Sequence, residues 1–246
     1  MLSKAQNKYI RSLTQQKFRN EYNVFIAEGD KIAGEWLLSS ARIQMIIATA
    51  TWAEKHKKDI SRHPEAELHI VKDSELEALT GLQNANQVML VIHIPERKDI
   101  PVLTGWNIAL DDIQDPGNMG TIIRIADWFG IANIICSAGC VDVYNPKVVQ
   151  SSMGGHLRVN IYETDLMPFL SKVTLPIFAA TLNGENVYDT KRTDAGVLII
   201  GNESKGVSAE VLSVVTKQIT IPRKGGAESL NAGVSAGILC ALLLRG

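Results

Sequence analysis

Apolar positions in the first part of the chain alternate between two periods. Ala5, Tyr9, Ile10 and Leu13 fall at helical spacing and predict a helix over residues 3–16. "VFIAEG" reads as a strand, and Ile32, Trp36 and Leu37 in "DKIAGEWLLSS" return to the helical period. "IQMIIA", "ELHIV" and "QVMLVIHI" predict further strands, separated by helical "TWAEKHKK" and "DSELEALTGL". These elements make a small α/β domain over residues 1–95. The segment "PERKDIPVLTG", with two prolines, clustered charges and a closing glycine, predicts a linker at residues 96–104.

Residues 105–246 form the second predicted domain. Its order is strand "NIALDD", helix "GTIIRIADWFG", strand "ANIICS", helix "PKVVQSSMG", strands "PIFAATL" and "GVLIIG", helix "SAEVLSVV", strand "QITIP" and a final helix. Apolar strands interleaved with helices predict a mostly parallel sheet covered on both faces. In the last helix Val234, Ile238, Ala241 and Leu242 are the expected buried stripe.

Composition narrows the function classes. A chain of 246 residues, 46% hydrophobic, can bury one large core or two modest ones. The net charge of −1 excludes a uniformly basic nucleic-acid binder. Charge is segregated, however: the first twenty residues carry Lys4, Lys8, Arg11, Lys17 and Arg19 and no acid. Three cysteines without CxxC spacing and five scattered histidines suggest neither a disulfide framework nor a metal site, so no metal is expected. No secretory pattern opens the chain, and no apolar run reaches the ~18 residues of a membrane span, so a cytoplasmic protein without membrane attachment is expected.

Ligands of open parallel sheets bind at loops leaving the carboxyl ends of strands. Three such loops stand out: "IQDPGNMGTIIR", "NESKGVS" and "RKGGAESLN". None carries G-x-G-x-x-G, and Val207 in "GNESKGVS" stands where a phosphate loop needs lysine, so nucleotide hydrolysis is a minor reading. Their glycines, including Gly117, Gly120, Gly201, Gly206, Gly225 and Gly226, are those expected where main chain approaches a ligand or takes positive φ.

"DPGNMGTIIRIADWFG", "LIIGNESKGV" and "IPRKGGAESLNAGVSAGI", in this order, resemble the three motifs of the SpoU/TrmH family of RNA 2'-O-ribose methyltransferases, of the SPOUT class. The first domain, with "KFRNEYNVFIAEGDK" as its clearest piece, is similar to the ribosomal-protein-like substrate-binding domain often fused in front. The resemblance implies an α/β SPOUT domain with a C-terminal trefoil knot, S-adenosyl-L-methionine as methyl donor and a homodimer. It implies cofactor contacts at Thr181, Gly201, Ile221 and Leu230, and catalytic or substrate-side roles for Asn118, Arg124, Glu203, Ser229 and Asn231. It also tips the basic N-terminal segment, with Tyr9 and Phe18 among its cations, toward RNA contact, with Arg124 as a further phosphate contact.

Simpler readings stand beside these. Arg124 and Asp127, three apart on a helix, fit a surface ion pair. Glu203 fits the start of a helix, Ser229 or Asn231 fits a helix cap, and Asp111 and Asp112 fit solvated or capping acids. The basic segment fits a solvated amphipathic helix. For the whole protein, methylation of ribosomal RNA is favoured. A transfer-RNA ribose methyltransferase, a base methyltransferase of another SPOUT branch and a non-catalytic RNA-binding relative are the alternatives.

Overall fold

The computed structural model describes residues 2–80, 86–96 and 98–244, and the chain divides into two compact units. The first contains Met1–Glu96 together with Tyr144–Leu157; the second contains Arg97–Val143 and Arg158–Gly246.

In the first unit, α1 (Lys4–Ser12) and α2 (Gln16–Tyr22) replace the single predicted helix. Ser3 and Gln6 form a reciprocal capping box that starts α1. The hydroxyls of Ser12 and Thr14 donate back to the carbonyls of Tyr9 and Arg11, which favours ending the helix there. There follow β1 (Val24–Glu28), α3 (Asp30–Leu38), β2 (Ile43–Thr49), α4 (Ala50–Lys55), α5 (Lys57–Ile60), β3 (Glu67–Val71), α6 (Asp73–Glu77) and β4 (Val88–His93). The predicted helix over 73–82 is thus shorter than expected, and its last two positions lie outside the described residues. The sheet order is β1-β4-β2-β3, with β4 antiparallel to both neighbours and β2 parallel to β3. Alternation along β1 feeds two cores: Phe25 and Ala27 join Trp36 and Trp52, while Val24 and Ile26 join Ile10, Leu13 and Leu76.

The second unit contains β5 (Trp106–Asp111), α7 (Pro116–Trp128) and β6 (Asn133–Cys136). Helix α8 (Pro146–Ser152), predicted as part of the second domain, packs instead within the first unit. Val149 joins the Phe25 core, and the ring of Tyr144 lies 4.8 Å from that of Phe25, so apolar burial decides its place. The second unit resumes with β7 (Asn160–Glu163), α9 (Leu166–Leu170), β8 (Ile177–Asn186), β9 (Gly196–Gly201), α10 (Ala209–Leu212), β10 (Lys217–Thr220) and α11 (Ala232–Leu243). Strand β7 and helix α9 were not anticipated; β7 is a four-residue edge strand with no fully buried position, so it carries little apolar pattern.

All six strands run parallel in the order β10-β8-β9-β5-β6-β7. Val197, Leu198, Ile199 and Ile200 of β9 are all buried, as both covered faces require. At the amino ends of three neighbouring strands, Asn107, Asn133 and Asn160 form a ladder. Asn160 Nδ2 donates to Asn133 Oδ1 at 3.3 Å, and Asn133 Nδ2 donates to Asn107 Oδ1 at 2.9 Å. Asn107 Nδ2 closes the ladder on the carbonyls of Thr104 and Gly105.

Helix α11 corrects the predicted stripe. Its buried positions are Ala232, Gly233, Ala236, Leu239, Cys240 and Leu243, whereas Val234 is 50% exposed and Ala241 is exposed. The reason lies in its small residues. A Cβ on Gly233 would come 2.9 Å from Thr121 Cγ2, so this glycine lets α11 lie directly on α7.

Candidate active site

The site is built where β5, β9 and β10 end. Asp115 caps α7, its carboxylate accepting from Asn118 N at 2.8 Å, and Pro116 occupies the first helical turn, where its missing N–H costs nothing. This start, earlier than the predicted one, buries Asn118 at 6% exposure beneath the turn after β9.

Asn118, Glu203 and Asn231, one from each predicted loop, are joined. Asn118 Nδ2 donates to Glu203 Oε1 at 2.8 Å, and Asn231 Nδ2 donates to Asn118 Oδ1 at 2.6 Å. Asn231 Oδ1 in turn accepts from Val234 N at 3.1 Å, so Asn231 caps α11 while holding Asn118. Glu203 does not begin a helix. It also accepts from the backbone N–H groups of Gln114 and Asp115, at 3.4 and 3.2 Å. Partial burial pushes its pKa up, but the bonds from Asn118 and from these backbone groups outweigh it and hold the carboxyl below its ordinary value.

The turn bearing Glu203 is pinned by the two adjacent aspartates. Asp111 Oδ2 accepts from Ser208 N at 2.7 Å, and Asn202 Nδ2 donates to the Asp112 carbonyl at 2.8 Å. A Cβ on Gly201 would collide with the backbone of Gly206 and Val207, so this glycine is required by the return of its own loop. Gly206 takes φ +71°, in the left-handed region that favours glycine. Asn202 had no predicted role. Its signal in "GNESK" was an asparagine followed two and three residues later by free backbone donors, the pattern of an Asx turn.

Arg124 lies exposed on α7 and forms no ion pair among the described residues. The surface pair read from the sequence does not exist, because Asp127 receives Arg158 Nε at 2.9 Å on both carboxylate oxygens. Ser229 and Leu230 are exposed in the loop before α11, Leu230 at 49%, whereas Thr181, Gly201 and Ile221 are partly buried.

Thr181 lies in an excursion of β8. The ladder with β10 jumps from Ala179 to Glu185 while β10 advances only from Gln218 to Ile219. Thr181 Oγ1 is buried there without a hydrogen-bond partner among the described residues. Such an atom is costly unless a ligand or solvent satisfies it. Two surface hollows, of about 490 and 290 Å³, are lined by other residues and do not contain this site.

The basic N-terminal residues divide. Lys4, Lys8 and Lys17 are exposed, with Lys17 Nζ 5.7 Å from the Phe18 ring centroid. Arg11 is also exposed but donates to the Ala78 carbonyl at 3.0 and 2.6 Å, tying α1 to the end of α6. Arg19, expected to contact RNA, is only 1% exposed and donates to the Leu13 carbonyl at 2.8 Å. Burial removes it from the candidate RNA surface.

This parallel-sheet unit, with three linked loops at its carboxyl edge, is a methyltransferase of a defined class: the SpoU rRNA Methylase family matches residues 105–241, and the chain belongs to it. Residues 4–90 match the MRM3-like substrate binding domain. Among individual proteins, a 23S rRNA (guanosine(2553)-2'-O)-methyltransferase from Bacillus subtilis is 29% identical, over 93% of this chain and 92% of its own. A TrmH-family structure from Porphyromonas gingivalis is 34% identical with a TM-score of 0.87, covering 99% of this chain and 98% of that one. An AdoMet-bound rRNA methyltransferase from Sinorhizobium meliloti is 26% identical with a TM-score of 0.88, covering 99% and 95%.

Proposed function

We propose that this protein transfers a methyl group from S-adenosylmethionine to a ribose 2'-hydroxyl of ribosomal RNA. The observation that carries the reading is the Glu203–Asn118–Asn231 chain, which joins the three loops whose motifs define the family. Ribosomal RNA is favoured over transfer RNA because the Bacillus subtilis relative that matches nearly the whole chain acts on 23S rRNA.

When bound, the cofactor supplies an electrophilic methyl on a sulfonium. The residues present fit it: Thr181 offers a buried hydroxyl without a partner among the described residues, and a Cβ on Gly225 or Gly226 would meet open space. Thr181, Gly201, Ile221 and Leu230 would hold it. Arg124, exposed and without an ion pair among the described residues, places a fixed cation to stabilise the oxyanion that develops as the hydroxyl attacks and to bind the adjacent phosphate through its planar fork. A guanidinium resists losing its proton, so a phosphate oxygen or water accepts the proton of the hydroxyl. Asn118, Glu203 and Asn231 already satisfy one another, and they act by fixing the loops rather than by touching the reacting atoms. Ser229, with no hydrogen bond inside the described residues, is left to contact ribose or cofactor.

Lys4, Lys8 and Lys17 supply phosphate contacts on the substrate-binding domain. The trefoil knot and the homodimer belong to the same proposal. The dimer is supported by α11, which is apolar on nearly every side yet leaves Val234 50% exposed, and by Trp128 of α7 at 84% exposure.

Mapping 2'-O-methylation at nucleotide resolution in rRNA from cells with and without this gene should reveal one lost site. Purified protein should restore it, and RNA with a 2'-deoxyribose at that nucleotide should bind but accept no methyl. Continued transfer to the deoxy substrate would sink the ribose assignment.

A further inference from the structure

The turn that presents Glu203 has an internal support outside the residues assigned above. Asn202 Oδ1 accepts from the backbone N–H groups of Ser204 and Lys205, at 2.9 and 3.0 Å. Its backbone exchanges two hydrogen bonds with Gly206, at 3.0 and 2.9 Å, closing the turn on itself. Its Nδ2 reaches out of the turn to the Asp112 carbonyl at 2.8 Å and to Asp112 Oδ2 at 3.3 Å. One amide therefore shapes the turn and fastens it to the neighbouring loop.

Asp112 is built to receive it. It takes φ +61°; the other two described non-glycine residues with positive φ, Asn23 and Met153, are helix C-caps. This left-handed backbone is costly for most residues and tolerated by aspartate and asparagine. Its N–H donates to Ser137 Oγ at 2.9 Å, in the loop after β6, and its Oδ1 accepts from Gln114 Nε2 at 3.1 Å. Asp112 thus stands fixed between the loops, and Asn202 carries that fixed point to the next residue, Glu203.

We propose that Asn202 is a positioning residue for methyl transfer: by latching the Glu203 turn to Asp112 it sets where Glu203 meets Asn118, and through Asn118 where Asn231 stands. The inference rests on the proposed function for its kinetic consequence, but its structural half is independent of that reading. Misplacement of a loop by about 1 Å is enough to cost on the order of a hundredfold in rate, so a residue remote from the reacting atoms can govern them.

The test compares Asn202→Ala with Asn202→Ser in the full-length protein. A serine hydroxyl can accept from the same backbone donors, as in the serine counterpart of the Asx turn. Asn202→Ala is expected to slow single-turnover methyl transfer about tenfold to a hundredfold at saturating RNA and cofactor. Serine lacks the amide donor to Asp112, so Asn202→Ser keeps the turn's acceptor without the latch and is expected to be slowed nearly as much, while its thermal unfolding stays close to wild type. Normal transfer by Asn202→Ala, recovery of transfer by Asn202→Ser, or slowing that only follows a lowered Tm would overturn the proposal.

A second readout needs no methylation assay. The Asn118 side-chain amide, identified by its loss in Asn118→Ala, should shift in the NMR spectrum of Asn202→Ala toward its position in Glu203→Ala, and shift likewise in Asn202→Ser. An unmoved resonance would overturn the latch. If the wild-type protein methylates no ribose, the proposed function fails while this readout still decides the role of Asn202.

Discussion

The two ends of the six-stranded sheet use the same residue type for different ends. At the amino edge, Asn107, Asn133 and Asn160 stand at matched positions on adjacent strands and close on backbone carbonyls. Asn107 and Asn133 are buried, and the ladder contains no ionisable group. At the carboxyl edge, Asn118 and Asn231 are linked in the same head-to-tail way, but their chain ends in the carboxylate of Glu203 and spans three loops. The first arrangement fixes the register of strands that their apolar cores already hold together. The second fixes loops that have little core of their own, and exposed Arg124 stands on the helix it anchors. Identical amides contribute to stability at one edge and to geometry at the other.

The largest expected effect separates these roles. Arg124→Ala should retain the fold, because the side chain is exposed and forms no ion pair among the described residues, but should lose at least about a hundredfold in single-turnover methyl transfer, the scale of removing a preorganised electrostatic donor. Arg124→Lys should restore little, since lysine keeps the charge and loses the planar fork. Thermal unfolding of both should match the wild type. Near-normal transfer by Arg124→Ala would leave the carboxyl edge without its proposed electrostatic centre.

Much of this edge was legible because it is local in sequence. The glycine-bearing loops and the strand-helix alternation are short-range signals, and so are the three motifs that carry the family resemblance; the Asp115 cap, which starts α7 earlier than expected, was not read. The linked roles of Asn118, Glu203 and Asn231 were not derivable from spacing, since their bonds join residues 85 and 113 apart. Arg19 misled for a similar reason: five cations without an acid look like one solvated face, and only the tertiary fold shows one of them buried against Leu13. The stripe on α11 was misread because nearly every side of that helix is apolar. Periodicity then gives no direction, and close approach at Gly233 decides which face is covered. Helix α8 lies within the stretch matched by the family yet packs in the first compact unit; its apolar residues fit either unit by pattern alone, and the core around Phe25 and Trp36 receives it.

At the amino edge the order of effects reverses. Asn133→Ala would leave Asn107 Oδ1 buried without its donor, a loss of about 1–3 kcal/mol in unfolding free energy. Urea denaturation would measure it. The rate of methyl transfer per folded molecule should remain within about twofold of wild type, because the bonds that position Asn118 and Glu203 lie at the opposite strand ends. A stability change near zero would show that the ladder is incidental to register, and a large rate loss in the folded fraction would erase the distinction between the two edges.

The smallest effect is a pH dependence that only the carboxyl edge possesses. The folded pKa of Glu203 lies below its ordinary value of 4.5, so its charge contributes stability that is present above that value and is lost as pH falls through the folded pKa. Glu203→Gln removes the titration. Wild type should therefore be the more stable of the two above pH 4.5, by a margin that shrinks as the solution is acidified below it. Comparing denaturation midpoints of wild type, Glu203→Gln and Asn133→Ala across this range isolates the contribution. The Asn133→Ala difference should stay level, since no member of the amide ladder titrates, whereas the Glu203→Gln difference should diminish. A Glu203→Gln difference that is constant down to about pH 3 would mean that the bonds from Asn118, Gln114 and Asp115 do not favour the ionised carboxylate, and the electrostatic contrast between the two edges would fail.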